Sequence, residues 1–74
     1  MTTLGEYRVG ISFNPSSNEH VNEIKRRAAD LIDYCNDWNS GDNAEAIELM
    51  HIAMRKIESA AMDAVKAVTK GPRD

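Results

Sequence analysis

The chain has 74 residues, about half the ~150 of an average domain, so it holds one small domain at most. Nine Lys and Arg against twelve Asp and Glu give a net charge of −3 and a pI near 5.3, which excludes the dense basic face needed to wrap a DNA or RNA polymer. One Cys allows no internal disulfide or cysteine zinc site, and no apolar run approaches the ~20 residues of a membrane span.

Mean hydropathy is −0.51, and the first residues lack the charged, apolar, small-residue pattern of a secretory leader, so a cytoplasmic protein is expected. Residues 1–15 read as an N-terminal arm containing Gly5, Gly10 and Pro15. The apolar positions of Tyr7-Arg8-Val9 and Ile11-Ser12-Phe13 alternate, which predicts extended chain without a fold of its own.

Residues 16–70 read as a helical hairpin. Ser16 followed by Glu19 has the spacing of a capping box and predicts a helix over about 17–39. Val21, Ile24, Ala28, Leu31, Cys35 and Trp38 recur at spacings of three and four as a seam, which Ile32 widens. Ser40-Gly41-Asp42 predicts a turn with a positive-φ glycine, and Asp42 with Glu45 predicts the cap of a second helix over about 43–70. Ile47, Met50, Met54, Ile57, Ala61, Ala64 and Val68 form its seam, and Gly71-Pro72 opens a tail at 71–74.

Two rods of roughly 33 and 40 Å joined by a short loop must lie antiparallel, and each covers only one side of the other. Ala60, Met62, Val65 and Ala67 lie off the assigned seam and leave a second apolar face. Chains this small seldom offset the entropy of ordering from one core without metals, disulfides or partners. An all-α antiparallel two-helix hairpin with a short N-terminal arm is therefore expected, assembled into a helical homo-oligomer.

Little in the sequence supports catalysis or a metal. Glu48 and His51 have the Glu-x-x-His spacing of di-iron bundles, but they flank the seam rather than face it and read as a solvated pair. Cys35 reads as a buried structural thiol without an activator at helical spacing, and His20 as a surface residue. Met50, Met54 and Met62 read as core filler, and Trp38 as a cap on the core. Lys25-Arg26-Arg27 reads as a solvated basic run. Tyr7-Arg8 offers a π-face for a base and a fork of donors for a phosphate. Lys66 either complements its helix C-terminus or joins copies from other subunits in an anion pocket.

Taken in order, Glu6-Tyr7-Arg8, Phe13-Asn14-Pro15-Ser16, Val21-Asn22-Glu23-Ile24-Lys25 and the run Ile57-Glu58-Ser59-Ala60-Ala61-Met62-Asp63-Ala64-Val65-Lys66-Ala67-Val68-Thr69-Lys70 resemble the helical-hairpin domain of phage anti-CBASS and anti-Thoeris proteins. Nearly the whole chain is covered. The resemblance implies a molecular sponge: a compact oligomer, commonly a hexamer, that sequesters the cyclic nucleotide signals of bacterial defence in the infected cell without breaking a bond.

By the same resemblance Tyr7 stacks on a base, Lys25 meets the phosphates of a cyclic dinucleotide between subunits, and Arg8 assists from the arm. Lys66 and Thr69 fall where related proteins line a separate cyclic trinucleotide site. Some members carry Arg at the position of Lys66, and a Lys offers a point charge where Arg offers a planar fork. The longer connection from Val9 to Asn18 is expected to reshape the dinucleotide pocket.

The sequence expectation is thus an immune-evasion protein, neither an enzyme nor a cofactor user, that binds cyclic di- or trinucleotides. The rivals are a sponge for an ADP-ribose-derived signal and a non-catalytic helical adaptor whose exposed Ala and Met face binds another protein.

Overall fold

The computed structural model describes residues 1–38 and 41–71. Those residues form three helices, α1 (Leu4–Val9), α2 (Glu19–Asp37) and α3 (Ala44–Thr69), and no strand. Helices α2 and α3 make the hairpin, and α1 packs mainly on α2 and touches α3.

The expectation of an extended arm at Tyr7-Arg8-Val9 is corrected, because these residues belong to α1. Thr3 caps the helix by accepting from the Glu6 amide (3.1 Å), while the Thr3 amide donates to the Glu6 carboxylate (2.9 Å), so two orphan donors are satisfied reciprocally. Gly10, at φ 63°, ends the helix in the left-handed conformation. Six residues span fewer than two turns, too few for a 3.6-residue period to stand out from alternation.

Helix α1 is held by backbone approach and by charge. A Cβ on Gly5 would collide with the Ala29 carbonyl oxygen and lie 2.8 Å from its carbon, so the absent side chain lets the two helices meet. The Asp33 carboxylate accepts from the Gly5 amide (2.7 Å) and the Thr3 hydroxyl (2.6 Å), which anchors the α1 N-terminus. Arg26 bridges Glu6 (2.7 Å) and Asp30 (2.8 Å). The Arg26 hydrogen bond, helped by the Thr3 amide, holds the Glu6 carboxyl below its ordinary value.

Helix α2 is capped by Asn18 rather than Ser16: the Asn18 side chain accepts from the His20 and Val21 amides. Ser16 instead belongs to a turn that precedes the helix, in which the Ser17 amide donates to the Asn14 carbonyl (3.0 Å) and Ser17 has φ 52°. Asn14 stitches this turn to α2 by bonding the Asn18 backbone and the Asn22 side chain. Helix α3 is capped by Asn43 accepting from the Ala46 amide (3.1 Å), one residue after the Asp42 expected for that role. Gly41 has the expected positive φ (67°), and Ser40 and Pro72 lie outside the described residues.

The α2 seam is rotated relative to the expectation. Val21, Lys25, Ala29 and Ile32 are buried, Ile24, Ala28 and Cys35 are half-buried, and Leu31 and Trp38 are about half exposed (50% and 47%). The cause is α1, which covers the Ala29 side of α2 and draws the buried face toward itself. Trp38 is half exposed and borders a cavity with Met50 and Met54 at that end of the core, and Lys25 is not part of a solvated run. On α3, Met54 and Ala61 are buried, Met50, Ile57 and Ala64 are half-buried, and Ile47 and Val68 at the two ends are exposed. The core cluster joins Val9, Ala29, Ile32 and Met54 across all three helices.

Candidate functional site

The nine residues between α1 and α2 bring several of the expected ligand residues near one another. Lys25 is 4% exposed, yet its ammonium is well partnered. From the second turn of α2 it reaches back to donate to the carbonyls of Gly10 (2.9 Å) and Phe13, and it lies 5.5 Å from the centre of the Phe13 ring. An ammonium has three protons, so these two carbonyls leave one for a further acceptor. Lys25 thus folds the loop and still lines its cleft.

That cleft, of about 310 Å³, is walled by Phe13, Pro15, Val21, Lys25, Val65 and Thr69. It joins the loop to the end of α3, where the Asn18 side chain also donates to the Val68 carbonyl (3.3 Å). A second, more open cleft of about 340 Å³ lies on the other side of Phe13 and includes Glu6, Tyr7, Gly10 and Ile11. Both volumes fall at the lower end of the range for small-molecule sites. Tyr7 and Phe13 are 78% and 73% exposed, so two aromatic faces meet solvent at the second cleft.

The expected site residues are therefore divided. Tyr7 lines one cleft and Lys25 and Thr69 the other, with Phe13 common to both. The Thr69 hydroxyl donates to the Val65 carbonyl (2.8 Å), so in this state its lone pairs rather than its proton are offered outward. Lys66 is exposed and lines neither cleft. Arg8 is half-buried, and one of its terminal guanidinium nitrogens is buried without a hydrogen-bond partner. Phe13 was read from sequence as part of an extended arm and of the family-like stretch Phe13-Asn14-Pro15-Ser16, with no ligand role. Its lone aromatic ring beside Asn14-Pro15 carried no signal that a lysine twelve residues later would hold its carbonyl.

At the other end of the hairpin a cavity of about 130 Å³ is lined by Cys35, Trp38, Ile47, Met50, His51 and Met54. Cys35 and His51 thus share a cavity wall across two helices, a relation that spacing along one helix could not show. The cavity is well below the size of a nucleotide-type site. Among the described residues no group of three or more His, Cys, Asp or Glu gathers as a metal cluster, and no helix is long and apolar enough to cross a membrane.

A family model described as Acb2/Tad1, hairpin domain, matches residues 6–69. The match spans α2, α3 and most of α1, together with the residues that line both clefts around Phe13 except Thr2. Neither the curated proteins nor the solved structures gave a match.

Proposed function

The chain belongs to the Acb2/Tad1 hairpin-domain family, and on that premise we propose that it sequesters cyclic oligonucleotide signals of bacterial anti-phage defence in the infected cell. The observation that carries the reading is the family match across the region where Tyr7, Lys25 and Thr69 line neighbouring clefts. Tyr7 offers an exposed face for a base and Lys25 a remaining proton for a phosphate. Arg8, which lines neither cleft, assists from α1 by the family resemblance. By the same resemblance Lys66, acting as a point charge, and Thr69, which also borders the Lys25 cleft, serve a second site for cyclic trinucleotides.

Capture rather than turnover is the mechanism. A preformed cleft lowers the ordering needed to bind, and slow release withholds the signal from its effector. The ligand leaves unchanged.

The binding form is a homo-oligomer, a hexamer by family resemblance. Two features support assembly. Leu31, Tyr34 and Trp38 recur at spacings of three and four along one exposed flank of α2. On α3, Leu49, Ala60 and Ala67 are exposed along one flank of the hairpin seam, with half-buried Ala53 in the same stripe. Small side chains there permit close helix approach.

Calorimetry against cyclic di- and trinucleotides and ADP-ribose-derived signals tests the reading. Saturable binding of a cyclic oligonucleotide, with intact ligand recovered after the protein is denatured, is the expected result. Binding confined to ADP-ribose derivatives would redirect the ligand class, and silence across the panel would favour a helical adaptor.

A further inference from the structure

We propose that Phe13 is a ligand-binding residue: its ring is a stacking platform for a nucleobase, which lies in the Tyr7 cleft while the attached phosphate crosses to Lys25. The proposal rests on the nucleotide-capture reading and adds a residue and an orientation to it.

The argument starts from an imbalance between a pinned backbone and a free ring. The Phe13 amide donates to the Gly10 carbonyl (2.9 Å), and the Phe13 carbonyl accepts from Lys25. The ring itself is 73% exposed, although burying a phenylalanine side chain is ordinarily favourable. Its main chain is therefore positioned by two hydrogen bonds while its apolar face is left to water, the arrangement of a preorganised contact surface.

The surroundings specify what would cover that face. Tyr7 lines the same cleft and is equally exposed, so a flat ring inserted there meets two aromatic side chains. Glu6 also borders this cleft, but Arg26 pairs with its carboxylate, which reduces repulsion of an anionic ligand. On the far side of Phe13 stands the Lys25 ammonium. An apolar aromatic slot adjoining a cation matches a base joined to a phosphate, and it matches neither a plain hydrocarbon nor a free anion.

The test is calorimetric titration of the wild-type protein, Phe13→Leu and Phe13→Trp with cyclic di-AMP, cyclic di-GMP and cyclic GMP–AMP, with ribose 5-phosphate as a base-free control. For a ligand that wild type binds, Phe13→Leu should weaken affinity about 5- to 100-fold, the range typical of one lost base–aromatic stack. Phe13→Trp should stay within about threefold. The base-free control should bind the leucine variant as it binds wild type.

A second readout guards against misfolding of the leucine variant. Phe13→Trp in a Trp38→Phe background should show fluorescence quenching on ligand addition, as a stacked indole does. Leucine binding as well as phenylalanine, or no quenching at saturation, would overturn the role of Phe13 while leaving sequestration standing. Failure of wild type to bind any nucleotide would sink sequestration and this proposal together.

Discussion

At the scale of single residues, Lys25 is required twice. Its stem is buried and its ammonium holds the carbonyls of Gly10 and Phe13. Lys25→Met keeps most of the apolar stem but leaves those two acceptors without their charged donor. The expected loss of stability is about 1–3 kcal/mol, measured by urea unfolding, together with faster amide exchange across residues 10–18. Tyr7→Ala should behave differently, because an exposed ring contributes little to the fold. Ligand affinity should fall about 5- to 100-fold with an unchanged melting temperature, and an equal loss of both would contradict a binding role.

The same contrast explains what could be read from residue types. Tyr7-Arg8 announces itself by chemistry, since an aromatic beside a guanidinium suits a base and a phosphate. Lys25 looked like one member of a solvated run with Arg26 and Arg27, because nothing local in the sequence shows that a loop closes over it. Phe13 carried no ligand signal for the same reason, since the Lys25 ammonium that fixes its carbonyl is brought to it only by the return of the chain along α2.

Among the helices, α1 controls the form of the candidate site, and its docking has two separable parts. Gly5→Ala introduces a methyl group where the Ala29 carbonyl already stands, so α1 must move outward. The expected loss is at least the ~1–3 kcal/mol typical of overpacking. Hydrogen exchange should show α1 opening while α2 and α3 stay protected. Loss of protection throughout would mean that α1 is integral to the hairpin rather than docked on it.

The other part is electrostatic. The Glu6 carboxyl is held below its ordinary value of 4.5 by Arg26 and the Thr3 amide. A group depressed in the folded state adds stability above its unfolded value and loses it as pH falls through the folded one. Glu6 should therefore support α1 docking fully at neutral pH and release it progressively below pH 4.5. Glu6→Gln should flatten that acid limb, as read by α1 amide exchange against pH, and an unchanged limb would place the transition elsewhere.

The hairpin was legible because long helices repeat their pattern enough times to outvote exceptions. Helix α1 was not, because six residues sample too little of a helical period and its decisive partner, Asp33, lies 28 residues beyond Gly5. The caps show the finer limit. Ser16 and Asp42 are good capping residues, but Asn18 and Asn43 stand closer to the first helical turn, and a shift of one or two residues is decided by turn geometry.

For the molecule as a whole, thinness is the governing property. Its extents are 52 × 29 × 12 Å and its radius of gyration is 14.2 Å, against about 11 Å for a compact chain of this length. A slab about one helix thick cannot shield its apolar residues from both faces. Large apolar side chains such as Leu31, Tyr34, Trp38, Leu49 and Ile52 accordingly remain exposed. Trp38→Glu places a charge on the α2 flank without touching either cleft. It should shift the protein toward smaller species in analytical ultracentrifugation, and an unchanged sedimentation profile would remove this flank from the interface.

Native mass spectrometry of the purified protein mixed with a cyclic dinucleotide reads assembly and capture at once. The expected spectrum contains a multimer of the 8.2 kDa chain whose mass increases by whole numbers of intact ligand molecules. A single chain that carries no ligand at saturating nucleotide would contradict sequestration by an assembled hairpin.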